Sequence, residues 1–287
     1  MVNHLDMIWA SSNQYWERSY LTDFIFGSWP KKTWTIDTIN MEEIKNPIIL
    51  YPSWDRSPPN HVVNFINQLN PKQYLLFHFG DEGFIHDCSY YGRSFHTFRN
   101  YLVPGLDKSN CTLLPLGWNN GIGNPGVPHK RDRKFDFCFI GSSKLRYLPF
   151  SVNDRIDVMS VLRSQNSLLH FPDLLGQDMN GAQQAAVYMD SYFGPCTRGN
   201  TSLDTFRVTE LLEHGCIPML RRYEGFDYYR ALLGSNPLPI VDSWYDIPKY
   251  LKRDVYQLQS EVWDWYGKLK MKIKSEVQSK VESFLSR

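Results

Sequence analysis

The sequence has no run of about eighteen apolar residues, and its N-terminus carries no basic stretch followed by an apolar one. A membrane-spanning helix and a signal peptide are therefore not expected, and the chain reads as soluble and cytoplasmic. There is no Cys-x-x-Cys pair, and the five cysteines, at 88, 111, 138, 196 and 216, are odd in number. Reduced thiols fit better than a disulfide framework, and a structural zinc is not expected. Net charge is nearly absent as well, with 31 basic against 30 acidic residues, which offers no electrostatic case for a nucleic-acid partner. No Asp-x-Asp motif occurs, so the usual carboxylate holder of a divalent cation against a diphosphate is missing, and no metal site is expected. His78, His86 and His96, with Asp87 and Cys88, do not share metal-ligand spacing on one element and read as structural.

What is present is an aromatic, globular chain of 287 residues, 42% hydrophobic and 15% aromatic, long enough for two domains of ordinary size. Apolar runs at Pro47–Tyr51 and Tyr74–Phe79 flank a helical pattern in which Val62, Val63, Phe65, Ile66 and Leu69 share a face. Strand, helix and strand in that order imply a parallel α/β sheet, whose ligand crevice lies beyond the carboxyl ends of the strands. Asp55, Asp81 and Glu82 fall at that edge and are the candidate catalytic carboxylates. His78 also falls there, but strand alternation favours its burial. Further strands are expected at Trp34–Asp37, Phe98–Tyr101 and Cys111–Gly117.

Residues Asn119–Arg133 read as a linker. Within it Gly121-Ile-Gly-Asn-Pro-Gly126 matches a dinucleotide fingerprint by letter only, because prolines follow where a helix should begin. An NAD-dependent enzyme is disfavoured for that reason. A second α/β domain opens with the strand Phe135–Ile140 and the turn Gly141-Ser-Ser-Lys144, where a backbone of this type comes closest to phosphate. Gly141, Ser142 and Arg146 are candidates there, ahead of a helix expected to be capped by Asn153-Asp154. The motifs at Asn110 and Asn200 match glycosylation acceptors by chance. After Asp254, apolar residues from Val262 to Phe284 recur every three or four positions, which predicts one long amphipathic helix, with Lys268, Lys270, Lys272 and Lys274 on a solvated face.

The richest stretch is Ser191–Pro218, read as strand, polar turn, helix and strand. Its turn combines Arg198 and Ser202 with Asp204, Thr205 and Arg207 at a helix start, where unpaired amides, the helix dipole and two guanidinium forks favour a diphosphate. Ser202 or Asp204 is expected to cap the helix, and Glu210, one turn in, is placed to accept from a ribose hydroxyl.

The sequence Arg-Gly, then Asp-Thr-Phe-Arg-x-x-Glu-x-Leu-x-x-Gly-Cys-Ile-Pro, resembles the donor-binding segment of the exostosin-like glycosyltransferases. Gly-Asp-Glu, Arg-Asn-Tyr and Pro-Leu-Gly earlier in the chain resemble the branch that includes xylosyltransferases, so the resemblance spans about Leu75 to Asp242. It implies a GT-B fold, two Rossmann-like domains facing across a cleft: residues 1–125 for the acceptor, 134–253 for a UDP-sugar, and 254–287 as a helix packing back on the first domain. It also implies inverting transfer of a sugar, xylose first, from a UDP-sugar to a glycan hydroxyl, with Arg155 reaching the diphosphate. Animal and plant members carry an N-terminal anchor that this sequence lacks, which points to a soluble microbial or viral relative or to a trimmed chain. The alternative is a non-catalytic nucleotide-sugar or glycan-binding module.

Overall fold

The computed structural model describes residues 4–10, 16–52, 60–83, 88–102, 109–123, 132–141, 149–171, 179–199, 202–223 and 226–287. The chain forms two α/β units. The first comprises Met1–Trp16, Leu21–Pro115 and Met271–Arg287; the second comprises Glu17–Tyr20 and Leu116–Lys270.

The first unit holds six parallel strands, β1 (Leu5–Trp9), β2 (Lys31–Thr35), β3 (Pro47–Pro52), β4 (Leu75–Phe79), β5 (His96–Arg99) and β6 (Cys111–Leu113), in the order β2-β1-β3-β4-β5-β6. Every residue of β1, β4 and β5 is buried, as expected of parallel strands covered on both faces. Helix α1 (Asn60–Gln68) turns Val62, Phe65 and Ile66 onto Ile8, Ile49 and Leu76 in the core. The sequence reading missed β1, because Asp6 interrupts its apolar run. The Asp6 carboxylate is buried but well served, accepting from the amides of Lys45 (2.9 Å) and Asn46 (3.1 Å) and from Trp34 Nε1 (3.3 Å). The strand expected at Phe98–Tyr101 is in fact His96–Arg99, and Tyr101 follows it with a positive φ of 61°.

The second unit holds five parallel strands, β7 (Phe135–Ile140), β8 (Ser167–His170), β9 (Ser191–Pro195), β10 (Ile217–Arg221) and β11 (Ile240–Val241), in the order β11-β10-β9-β7-β8. Its helices are α2 (Pro149–Leu162), α3 (Gly181–Met189), α4 (Phe206–Glu213) and α5 (Tyr228–Leu233). Counted from the first strand of each unit, both sheets run 2-1-3-4-5, with a sixth strand added in the first unit. That is the flavodoxin-like version of the doubly wound sheet rather than the order 3-2-1-4-5-6. Its switch point falls between β1 and β3 in the first unit and between β7 and β9 in the second.

Helix α2 begins at Pro149, so Asn153 and Asp154 are not its caps and Arg155 lies in its second turn. Helix α3 has a reciprocal capping box between Asn180 and Gln183. Helix α4 ends in a Schellman motif: Gly215 takes φ +67°, its amide bonds to Leu212 O (3.1 Å), and Cys216 N bonds to Leu211 O (2.9 Å).

The long helix α6 spans Val255–Leu285, near the 254–287 expected from the sequence. Within the second unit, Gln259 Nε2 and Trp263 Nε1 donate to Gly215 O, and Glu213 accepts from Tyr266 Oη (2.6 Å) and pairs with Lys270 (3.0 Å). Within the first, Ile273, Val277, Val281 and Phe284 are buried, and Lys274 lies over the ring of Phe24. Two of the four lysines thus have partners. Among the described residues no helix is long and apolar enough to cross a membrane, and no group of His, Cys, Asp and Glu could hold a metal ion.

Candidate functional site

At the switch point of the second sheet the carboxyl ends of β7, β8 and β9 meet the start of α4. Gly141 follows β7, and its amide donates to His170 O at the end of β8 (3.1 Å). Arg207, in the first turn of α4, reaches back across this edge: Nη2 donates to Ile140 O (2.5 Å) and Nη1 to Thr197 Oγ1 (3.5 Å), and the guanidinium lies 4.7 Å from the centre of the Phe139 ring. A Cβ on residue 141 would come within 2.9 Å of Arg207 Nη2, so glycine is what lets the guanidinium lie against the strand end.

Thr205 is the N-cap of α4 by backbone geometry, but its side chain makes no capping bond. Neither Ser202 nor Asp204 fills that role, contrary to the sequence expectation. Ser202 Oγ accepts from the amide of Asp204 (3.1 Å), and the Asp204 carboxylate is taken by the amide of Leu116 (3.3 Å). The N-cap residue thus supplies no side-chain cap of its own. Among the described residues here, Thr205 Oγ1, Arg207 Nε and, at the end of β8, His170 Nε2 are buried without a hydrogen bond, as is Arg198 Nε. Buried polar groups are paired in the great majority of cases, so a cluster of unpaired ones at one sheet edge calls for a ligand.

Beside them, Arg198 lies 4.4 Å from the centre of the Tyr223 ring and 3.8 Å from Asp154. Asp154 is the hub of a network that the sequence did not reveal, accepting from Arg221 Nη1 (2.5 Å), Tyr223 Oη and Trp244 Nε1 (3.2 Å). Arg155, its neighbour, is 7% exposed. Arg221 ends β10, so the rule that drew attention to the other strand exits would have found it.

Glu210 is buried and accepts from Asn119 N (3.4 Å) and Tyr188 Oη (3.3 Å); burial raises its carboxyl from the ordinary range, against the pull of the Arg207 charge. It is one of three carboxylates that clamp the segment 116–119. Leu116 N donates to Asp204, Gly117 N to Glu17 (2.6 Å) and Asn119 N to Glu210, while Thr209 Oγ1 donates to Gly117 O (2.5 Å). These bonds explain why the second unit begins at Leu116 and includes Glu17, ahead of the boundary near residue 125 read from the sequence. Burial pushes the Glu17 carboxyl up to about 8, with the Asp204 charge adding to the shift and the Gly117 amide opposing it.

In the first unit, Asp81 is buried in an ion pair with Arg99 Nη2 (3.3 Å), and neither side chain is exposed by more than 2%. Arg99 also donates to Asn100 O (3.0 Å) and Tyr91 Oη (3.2 Å), and Tyr91 Oη bonds to His78 Nδ1. His78 is 1% exposed and stacks on Tyr51; it is buried as expected, but because β4 is covered on both faces rather than by alternation. Glu82 is half-buried on the turn that follows, where Gly80 takes φ +93° and donates its amide to Asn100 Oδ1 (3.0 Å). The structure therefore brings together Gly141, Arg198, Thr205 and Arg207 in one place, and Asp81 and Glu82 in another. Asp55, Ser142 and Arg146 lie outside the described residues, as does Asn200. The Asn110 side-chain amide donates to the carbonyls of Tyr91 and Ser94, which engages it in packing.

No family model matches the chain, and no curated protein matches it. Among solved structures, TarM is similar over 79% of this chain and 57% of its own, at 8% sequence identity and a TM-score of 0.39. The chain thus spans little more than half of that protein's length. The exostosin-like resemblance rests on the motif residues themselves.

Proposed function

We propose that the chain is an inverting glycosyltransferase whose second unit holds a UDP-sugar at the β7/β9 switch point. The observation that carries this reading is the set of buried polar atoms without hydrogen bonds on Arg198, Arg207, Thr205 and His170, beside the close approach of the Arg207 guanidinium to Gly141. A diphosphate supplies acceptor oxygens for donors of this kind, and guanidinium forks grip it more strongly than neutral groups do. The same cations stabilise the negative charge that develops as UDP departs. An acceptor hydroxyl oxygen attacks the anomeric carbon, the bond from that carbon to the UDP oxygen breaks, and a carboxylate takes the hydroxyl proton. Asp81, Glu82 and Asp55 are the proposed sources of that carboxylate. Xylose as the sugar and a glycan as the acceptor follow from the motif resemblance, and transfer without a divalent cation follows from the arginines taking the place of an Asp-x-Asp site.

The buried pairing of Asp81 with Arg99 favours keeping a second reading, a nucleotide-sugar-binding module without catalysis, because it commits one candidate base to structure. Thermal unfolding and calorimetry across UDP, UDP-xylose, UDP-galactose, UDP-glucuronate and UDP-N-acetylglucosamine, followed by assay of UDP release, separate the two. A ligand that binds only the folded chain raises its melting temperature. Binding with turnover supports the enzyme, binding without turnover supports the module, and no binding by any of them overturns both.

A further inference from the structure

Tyr223 lies just beyond β10, and its ring contacts two guanidinium groups, Arg198 at 4.4 Å and Arg221 at 5.1 Å from the centroid. Its hydroxyl donates to Asp154, which also accepts from Arg221 Nη1 and Trp244 Nε1. Three donors within hydrogen-bond reach satisfy this carboxylate. Arg198 Nε, which is buried, faces the same carboxylate at 3.8 Å, an ion pair too long to be a hydrogen bond. The four residues around Asp154 are therefore not equivalent. Arg221, Tyr223 and Trp244 lock the carboxylate, whereas Arg198 rests on the ring and pairs with the carboxylate only at longer range.

We propose that Tyr223 is a positioning residue that holds the Arg198 guanidinium ready for an anionic ligand, with Asp154 fixing the Tyr223 ring in turn. The proposal rests on the anion site described above and adds to it a part that the motif does not contain. An arginine side chain is flexible, and ordering it at the moment of binding weakens association; a ring face that orders it beforehand removes that loss. Asp154 does the anchoring without competing strongly for Arg198, because its own acceptor positions are already filled.

Calorimetric titration of the full chain with inorganic pyrophosphate and with UDP tests this. Tyr223→Leu removes the ring, and it should weaken both probes by about threefold to tenfold, the range that a guanidinium on an aromatic face implies. Tyr223→Phe keeps the ring and should lose less. In an Arg198→Gln background the Tyr223→Leu loss should vanish, which a general structural role for Tyr223 would not produce. Unchanged affinity in Tyr223→Leu, or a loss that persists without Arg198, overturns the proposal. Should Tyr223→Leu fail to fold, Arg198→Lys, which keeps the charge but not the planar face, should lose a similar amount, and wild-type affinity in that variant overturns it as well. Wild-type binding of pyrophosphate but not UDP sinks the nucleotide reading and leaves this proposal testable with pyrophosphate alone. Binding of neither probe by the wild type overturns both.

Discussion

The amide of Gly117 donates to the carboxylate of Glu17 over 2.6 Å, although the two residues are 100 positions apart in the chain. A Cβ at residue 117 would come within 2.3 Å of the Tyr20 ring, so only glycine lets the backbone lie this close. The bond sits among other buried carboxylates, Asp204 and Glu210, that hold the neighbouring amides.

This arrangement predicts a loss of stability on the alkaline side. Glu17 has a folded value of about 8 against an ordinary 4.5, raised chiefly by burial. A raised carboxyl contributes stability fully below the ordinary value, and that contribution is lost as pH rises through the folded one, at about 1.4 kcal/mol per pH unit across the window. Glu17→Gln keeps an acceptor for Gly117 and removes the charge. Its melting temperature should therefore fall less steeply than that of the wild type between pH 4.5 and 8, as followed by thermal unfolding. Parallel curves for the two proteins would count against the assignment.

His96 predicts the opposite slope on the acid side. Burial, with a smaller effect from Lys280, lowers it from 6.5 to about 4, so the folded chain keeps the ring neutral. The unfolded chain binds the proton more readily, and stability present above pH 6.5 is lost as pH falls toward 4. His96→Gln, which can still bond to Thr112 Oγ1, should soften this acid loss in a pH series of unfolding curves.

Gly141→Ala should reduce UDP affinity while leaving the fold intact, because the new methyl displaces the end of the Arg207 side chain rather than backbone. Arg207→Ala should cost more, roughly tenfold or above, as expected for the loss of a charge-assisted hydrogen bond. Calorimetry ranks the two variants. Wild-type affinity in Arg207→Ala would remove Arg207 from the donor site.

Asp81 and Glu82 should separate by the kind of defect they cause. Asp81→Asn strips the buried Arg99 of its counter-ion and should destabilise by about 3–5 kcal/mol. Glu82→Gln, on a half-exposed turn, should change stability by about 0.5 kcal/mol or less. If Glu82 is the proton acceptor, its variant loses turnover yet still binds UDP; full turnover excludes it.

The amino-acid sequence alone determined most of the parallel-strand skeleton. Parallel strands buried on both faces must be continuous apolar runs, so β3, β4, β7 and β10 could be read directly; Gly141 stood out because it follows such a run, and Arg198 and Arg207 because they flank a polar turn at a helix start. Strand β1 escaped, since Asp6 breaks its run and the backbone amides that satisfy that carboxylate lie 39 and 40 residues away. Only the tertiary structure decided what the polar groups do. Asp154 read as a helix cap until Arg221, Tyr223 and Trp244, 67 to 90 positions distant, were brought onto it. Asp204 read as another cap, but it holds Leu116 instead, and the same folding committed Asp81 to Arg99. Local periodicity is written into neighbouring residues, whereas the partner of a buried charge is chosen by whichever distant segment the fold delivers to it.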